Sequence, residues 1–213
     1  MKQLAVLVAM GMEAKPFLIK IKDKAIQKID GKKFIVGMIG DKQVAVHICG
    51  MGMRKATKGA DALIKHFAPE AIILYGVSGG LGDIALADTV VATQSFPCFG
   101  KAWTAGIAVT ADEGLTDHAA SLLEAKKAVV ATSLGLIFNK KRKARIIQRS
   151  NAVCIDMESY AFLTVADKAK VKAVVIRCIS DTEEPKSLLS FFKNGKIAAD
   201  KVVGEVERLI LSL

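Results

Sequence analysis

The chain is poor in several things, and each shortage removes a class of function. It has one Trp and two Tyr among 213 residues, little aromatic surface on which to stack nucleic-acid bases. Its three histidines, His47, His66 and His118, are scattered without ligand spacing. Its four cysteines, Cys49, Cys98, Cys154 and Cys178, form no CxxC pair and match no zinc pattern, so no metal is expected. Three of the four lie in apolar runs, where cysteine behaves as a small hydrophobe, a usage that fits a reducing cytoplasm. No apolar run approaches the ~18 residues of a membrane span. The stretch LAVLVAM after Lys2 is short, lacks a small-x-small cleavage site and runs into Glu13 and Lys15, so it reads as a first core strand and not a signal peptide. Prolines number four, and no repeat, low-complexity tract or linker interrupts the chain.

What the chain has in abundance is apolar side chains and lysine. Hydrophobic residues make up 52%, mean hydropathy is +0.35, and the formal net charge is +10. The length fits one domain, residues 1–213, on a prior of roughly 100–200 residues per domain. The positive charge raises the question of a nucleic-acid partner. The lysines are spread out, and the one dense cluster, KKRKAR at 140–145, runs into Ile146 and Ile147 and reads as an exposed helix face. No nucleic-acid partner is expected.

Val/Ile/Ala-rich runs predict strands at about 3–10, 33–39, 43–49, 71–76, 87–93, 128–132, 152–156 and 172–178. Helices are predicted at about 13–21, 54–67, 115–126, 139–149, 157–169 and 187–212, the last with a break near Asn194-Gly195. Several strands are apolar throughout, as in a sheet covered on both faces. The alternation predicts a three-layer α/β/α domain around a mixed, largely parallel sheet, with GDK at 40–42 turning one hairpin.

Ligands of open α/β sheets bind beyond the carboxyl ends of strands, and unusual segments collect there. Three carry an acid: Glu13 in AMGMEAKPF, Glu158 in CIDMESYAF and Asp181 in RCISDTEE. Carboxylates are costly to bury, so three at strand ends point to a cleft acting on a neutral, hydroxyl-rich substrate, such as one with a glycosidic bond. Two of them also have a plainer reading. Glu158 could compensate a helix dipole behind Asp156 as N-cap, and Asp181 could cap a turn. GVSGGLGD (76–83) could bring backbone N–H groups and the Ser78 hydroxyl to an oxygen-rich ligand, or simply turn. It is no Walker loop, because no GK[ST] follows, and the GxG of CGMGMRK is a weak nucleotide signal. Arg54, at a helix start, is a candidate anion ligand or a surface residue.

In this order the segments resemble the nucleoside phosphorylase/nucleosidase superfamily, and within it the methylthioadenosine/S-adenosylhomocysteine nucleosidases. AMGMEAKPF is similar to the opening strand–acid motif, GVSGGL to the glycine-rich loop, DMESYA to the [DE]-M-E-[GS]-x-A motif and RCISD to R-A-[IV]-[ST]-D; the match runs from residue 1 to about 185. The resemblance implies cleavage of the N-ribosidic bond of a purine nucleoside, adenine foremost, without a cofactor. Glu13 would activate a water, and Met157 and Glu158 would hold the ribose. Asp181, assisted by Ser180, would protonate N7 of the base. Ser78 and Gly79 would lie near the nucleophile and base. The base-stacking segment falls at Ser133–Leu136, where SLGL lacks the family's aspartate and aromatic residue. In DMES and in a short central loop the chain also resembles the hopanoid-associated phosphorylases, with Phe96, Phe99 and Trp103 placed either to line a path for an apolar 5′ group or to pack the core. That likeness keeps a phosphate nucleophile open beside water, and a nucleoside-binding module without catalysis stands behind both. The family implies a homo-oligomer, a dimer or larger.

Overall fold

The structure, a computed structural model, describes residues 3–99, 107–182 and 187–213, the last stretch with side chains from 194 onward. Trp103 and the 183–185 end of the ISDTEEP segment lie outside the described residues. Ten strands form one mixed sheet. They are β1 (Gln3–Val8), β2 (Lys22–Ile29), β3 (Lys32–Ile39), β4 (Lys42–Ile48), β5 (Ala71–Gly80), β6 (Thr89–Pro97), β7 (Val109–Thr110), β8 (Lys126–Thr132), β9 (Cys154–Asp156) and β10 (Lys172–Asp181). Among the described residues six helices accompany them: α1 (Gly11–Lys20), α2 (Met53–Phe67), α3 (Glu113–Leu123), α4 (Lys140–Ser150), α5 (Ser159–Ala169) and α6 (Ser187–Ser212).

β1 is the central strand. It is flanked by β4 and β5, both parallel, and its LAVLV is buried on both faces. Alternation sends Leu4, Val6 and Val8 to one core with Phe17 of α1, Ala119 of α3 and Val202 and Val206 of α6. Ala5 and Leu7 enter a second core with Ala56, Ala60 and Leu63 of α2 and Phe162 and Ala166 of α5. β10 pairs with β5 on one side and β6 on the other, so β5, β10, β6, β8 and β9 close a ring of neighbours.

The sheet departs from the sequence reading in instructive ways. Antiparallel pairings (β2–β3, β3–β4, β5–β9, β6–β7, β6–β10) equal the parallel ones in number, so the sheet is evenly mixed and not largely parallel. β2, KDKAIQKI, is an additional strand; it is an edge, almost wholly exposed and lysine-rich, which hides its period and protects the edge from pairing. Its signal was the Asp30-Gly31 dipeptide, whose φ values of +49° and +71° make the tight hairpin turn to β3. α6 runs unbroken through Asn194-Gly195. β5 and β10 extend to Gly80 and Asp181, past their predicted ends at 76 and 178. Segments read as loops are therefore held in strand pairing.

Candidate active site

The carboxyl ends of β1, β5 and β10 lie side by side and open into a cleft of roughly 750 Å³. Glu13, Ser78, Gly79, Leu136, Met157, Glu158 and Asp181 all line it, so seven of the residues singled out in the sequence converge. Ser180 stands behind Asp181, and Arg54 is the exception: it is exposed and absent from the lining. The amide of Gly52, preceding α2, is already taken by a carboxylate, so the helix start that carries Arg54 is not a vacant anion site.

Glu13 is 1% exposed. Its Oε2 accepts a hydrogen bond from the Met10 amide at 2.9 Å, closing the first turn of α1 from inside. Its Oε1 accepts from the Val77 amide at 2.8 Å, tying α1 to β5. The Tyr75 hydroxyl donates to the Glu13 carbonyl at 3.1 Å. Burial pushes the carboxyl up to about 7, against the pull of the two amides and of Arg177. Gly76 makes this approach possible: a Cβ there would sit 2.7 Å from both Arg177 Nη1 and Glu13 Oε1.

Arg177, on β10, is the hub of this acidic set and is 1% exposed. It pairs with Asp156 and reaches Glu158 Oε2 at 3.4 Å. Glu158 Oε1 accepts from the Gly52 amide at 2.8 Å, and Gly52 has φ +101°, where only glycine is comfortable. Burial raises the pKa of Glu158 while Arg177 lowers it. Asp156 fulfils its predicted capping task, accepting from the Ser159 amide at 3.1 Å and from the Ser159 hydroxyl, although Glu158 occupies the N-cap position itself. Thr132 Oγ1, at the end of β8, also donates to Asp156, at 2.7 Å. One guanidinium thus stands among three buried carboxyl groups.

Asp181 belongs to a different neighbourhood. It pairs in register with Gly79, after a bulge at Ser180 that re-aims the end of β10. The Ser180 hydroxyl lies 3.2 Å from Asp181 Oδ1 and 3.3 Å from the Ser78 carbonyl oxygen, so it donates to one or the other. Burial raises the pKa of Asp181, and Lys143 and Ser180 lower it. Lys143 corrects the reading of KKRKAR as an exposed face: it is 4% exposed and lines the cleft, on a stripe of α4 shared with Ile146 and Ser150. Its neighbours Lys141, Arg142 and Arg145 are exposed. The 3–4 spacing of Lys143 with Ile146, Ile147 and Ser150 was the available signal.

Apolar side chains fill the remaining wall. Met157 stands beside Glu158, while Met51, Leu136 and Phe138 lie at the mouth, each at least half exposed. Of the central-loop aromatics, Phe99 packs edge-on against Tyr160 and Phe96 against the small cluster of Leu81 and Cys98, which is the core-packing alternative. Among the described residues no group of His, Cys, Asp or Glu is arranged to hold a metal. The arrangement offers two buried carboxyls in separate settings, both with raised pKa, which suits Asp181 to donate a proton and sets Glu13, at about 7, near the pH at which a base accepts one.

Comparison with known proteins agrees with this geometry. A curated relative, the aminodeoxyfutalosine nucleosidase of Campylobacter jejuni, is 24% identical over 229 residues, covering 98% of this chain and all of that protein. The structure of Helicobacter pylori futalosine hydrolase superposes with a TM-score of 0.94 at 22% identity, covering 100% of this chain and 98% of the other. Helicobacter pylori 5′-methylthioadenosine/S-adenosylhomocysteine nucleosidase, solved in complex with a substituted pyrrolidin-3-ol, gives 0.93 at 22% identity, with 100% and 99% covered. A sequence profile described as Phosphorylase superfamily matches residues 3–211, and with fold, cleft and motifs in accord, the chain belongs to that superfamily.

Proposed function

We propose that the protein hydrolyses the N-ribosidic bond of a purine nucleoside, with residues 1–213 acting as one catalytic domain. The observation that carries this reading is the convergence of Glu13, Glu158 and Asp181 in one cleft, with Glu13 poised at about 7. Breaking the bond develops positive charge on the ribose and negative charge on the base. The acidic set around Glu13, Asp156 and Glu158 stabilises the first. Asp181 relieves the second by giving its proton to N7. Glu13 takes a proton from the attacking water, so one water is consumed and free ribose and base leave. Glu158, anchored by Gly52 and Arg177, accepts the ribose hydroxyls, and Met157 forms an apolar wall for the ring. Ser78 and Gly79 form the floor between sugar and base, Leu136 packs on the base, and Ser180 orients Asp181.

Water is favoured over phosphate because the cations near Glu13 are committed. Arg177 is buried among carboxylates, and Arg54 stands outside the cleft. The division of the core between two sheet faces supports a three-layer α/β/α scaffold. The exposed rim of Met51, Leu134, Leu136 and Phe138 supports a homo-oligomer in which a second copy covers the mouth. The four cysteines, all free, support a cytoplasmic setting, and among the described residues no helix is long and apolar enough to cross a membrane.

The test is purine release from nucleosides with and without inorganic phosphate. Release at the same rate in both, with free ribose as co-product, is the expected result. A requirement for phosphate with ribose 1-phosphate as product would overturn hydrolysis, and sedimentation as a monomer would overturn the oligomer.

A further inference from the structure

We propose that the hollow between the β2–β3 hairpin, the end of β4 and the start of α2 binds a small molecule through a di- or triphosphate group. It shares no lining residue with the candidate active-site cleft, so the inference stands apart from the hydrolase reading. The hollow has a cause in the sheet. β3 begins at Lys32 and β4 runs to Ile48, yet their pairing ends at Ile35 with Val46. The two strands part there, while β4 continues to pair with β1. His47 fills part of the gap: its Nδ1 donates to the Lys33 carbonyl at 2.9 Å, and its ring lies tilted against Phe34 with centroids 5.1 Å apart. Gly59 lets α2 close the other side, since a Cβ there would stand 3.1 Å from His47 Cδ2 and 2.9 Å from Cys49 Cβ. What remains is a space of roughly 680 Å³, within the ~300–1,000 Å³ of small-molecule sites.

The charge of the wall then limits the ligand. Lys24 of β2, Lys32 and Lys33 of β3, and Lys55 and Lys58 of α2 line the hollow with His47, and no Asp or Glu lines it. None of the five lysines is in an ion pair with a described residue. Lys24 is steadied by donating to the Leu18 carbonyl at 2.9 Å. Lysines dispersed along the chain thus meet around one space, and a cleft lined by one sign of charge concentrates the opposite ion. His47 feels that field: burial first, and then the charge of Lys32, lower its pKa against the pull of the Lys33 carbonyl. Ammonium groups are point donors with no acceptor, and a phosphoryl group brings three acceptor oxygens. One phosphate carries about −1.5 to −2 and leaves most of the five cations unmatched; a di- or triphosphate spreads more charge across β2, β3 and α2. The wall also has an apolar part for the rest of the molecule. Ile26, 61% exposed, stands opposite Ile35 in register, and both line the hollow.

The experiment is calorimetric titration of the full chain with inorganic triphosphate and with uridine 5′-triphosphate. Wild type is expected to bind both, more weakly as salt is added. Combining Lys32→Gln, Lys33→Gln and Lys58→Gln should raise both Kd values by about tenfold, the combined size of three exposed ion pairs. An equal loss of charge elsewhere, by Lys140→Gln, Lys141→Gln and Lys168→Gln together, should leave them within about twofold of wild type. In NMR spectra the imidazole signals of His47, identified by their loss in His47→Gln, should move on addition of either ligand, while those of His118, on α3 outside the hollow, stay in place. Tighter binding of the nucleotide than of inorganic triphosphate gives Ile26 and Ile35 a part in the site; equal binding makes the phosphoryl groups the whole ligand, and either result supports the proposal. No binding at millimolar ligand, equal weakening in the two triple variants, or unmoved His47 signals overturns it. Tighter binding of a single-stranded oligonucleotide than of either triphosphate also overturns it. If the first triple variant loses the wild-type circular dichroism spectrum, Lys58→Glu alone, on the exposed face of α2, decides by the same comparison. None of these measurements depends on base release, so failure of this site and failure of the hydrolase reading are seen separately.

Discussion

Two charged neighbourhoods share one cleft and solve the problem of buried charge in opposite ways. Around Arg177, charges of both signs are in contact, and nearly every oxygen has a backbone or side-chain donor. Around Asp181 the charges are fewer: Lys143 acts on the carboxyl through its charge, and Ser180 stands against it. The first is a nearly closed network, in which Arg177 Nε is left without a partner among the described residues. The second is the more open of the two, with Lys143 and Asp181 both lining the cleft. The difference teaches where to expect rigidity and where specificity. A dense network fixes geometry, while a sparser set on the cleft wall leaves room for a ligand.

The largest effects should come from removing the acid or the base. Asp181→Asn and Glu13→Gln should each lower kcat by about 10²–10⁴-fold, the usual share of a general acid or base, with an unchanged circular dichroism spectrum. Near-wild-type turnover in either would remove the proposed division of labour. Next in size is Arg177→Met, which strands buried carboxylates without their cation. It should cost about 3–5 kcal/mol in denaturant unfolding, whereas Lys143→Met should cost far less, since Lys143 is in no ion pair with a described residue. Equal costs would erase the contrast between the closed and open sets.

The pH dependence separates the two neighbourhoods further. Glu13 must be ionised to act, so kcat/KM should rise with pH through about 7. Its raised pKa also means that the folded state holds this proton more tightly than the unfolded chain. Stability contributed by the protonated form is full below the unfolded value of 4.5 and is lost as pH rises to about 7. Relative to Glu13→Gln, wild type should lose up to about 3 kcal/mol across that window, measured by urea titration at each pH. Asp181 must be protonated, and Lys143 lowers its pKa, so Lys143→Met should move the alkaline limb of the rate profile to higher pH. The smallest effect is in recognition: Glu158→Gln should narrow the preference for ribose over 2′-deoxyribose substrates by severalfold, seen in KM. An unchanged preference would count against its contact with the sugar.

Much of this was visible in the residues. Continuous apolar runs such as LAVLV and AIILY mark strands covered on both faces, and acids directly after them mark a cleft, because burial of a carboxylate needs a reason. Arg177 was harder to see. It lies in the middle of an apolar strand, and only the pairing of β10 with β5 shows that it faces Glu13, Asp156 and Glu158. Lys143 was hidden by its neighbours: three of the four residues at 141–143 and 145 are exposed, and a charge count cannot tell which lysine turns inward. β2 was missed because an exposed lysine-rich edge carries no hydrophobic period.

By itself the sequence determined the class of fold, the superfamily and the three acids, since these follow from apolar periodicity and from motifs contiguous in the chain. Tertiary structure alone decided which acid keeps which company. Residues 13, 158 and 177 come together, and the charge of residue 143 reaches residue 181, only when elements far apart in the chain end at the same cleft. The pKa of a carboxyl depends on the charges and donors within a few ångströms, and that neighbourhood is a property of packing, not of order along the chain.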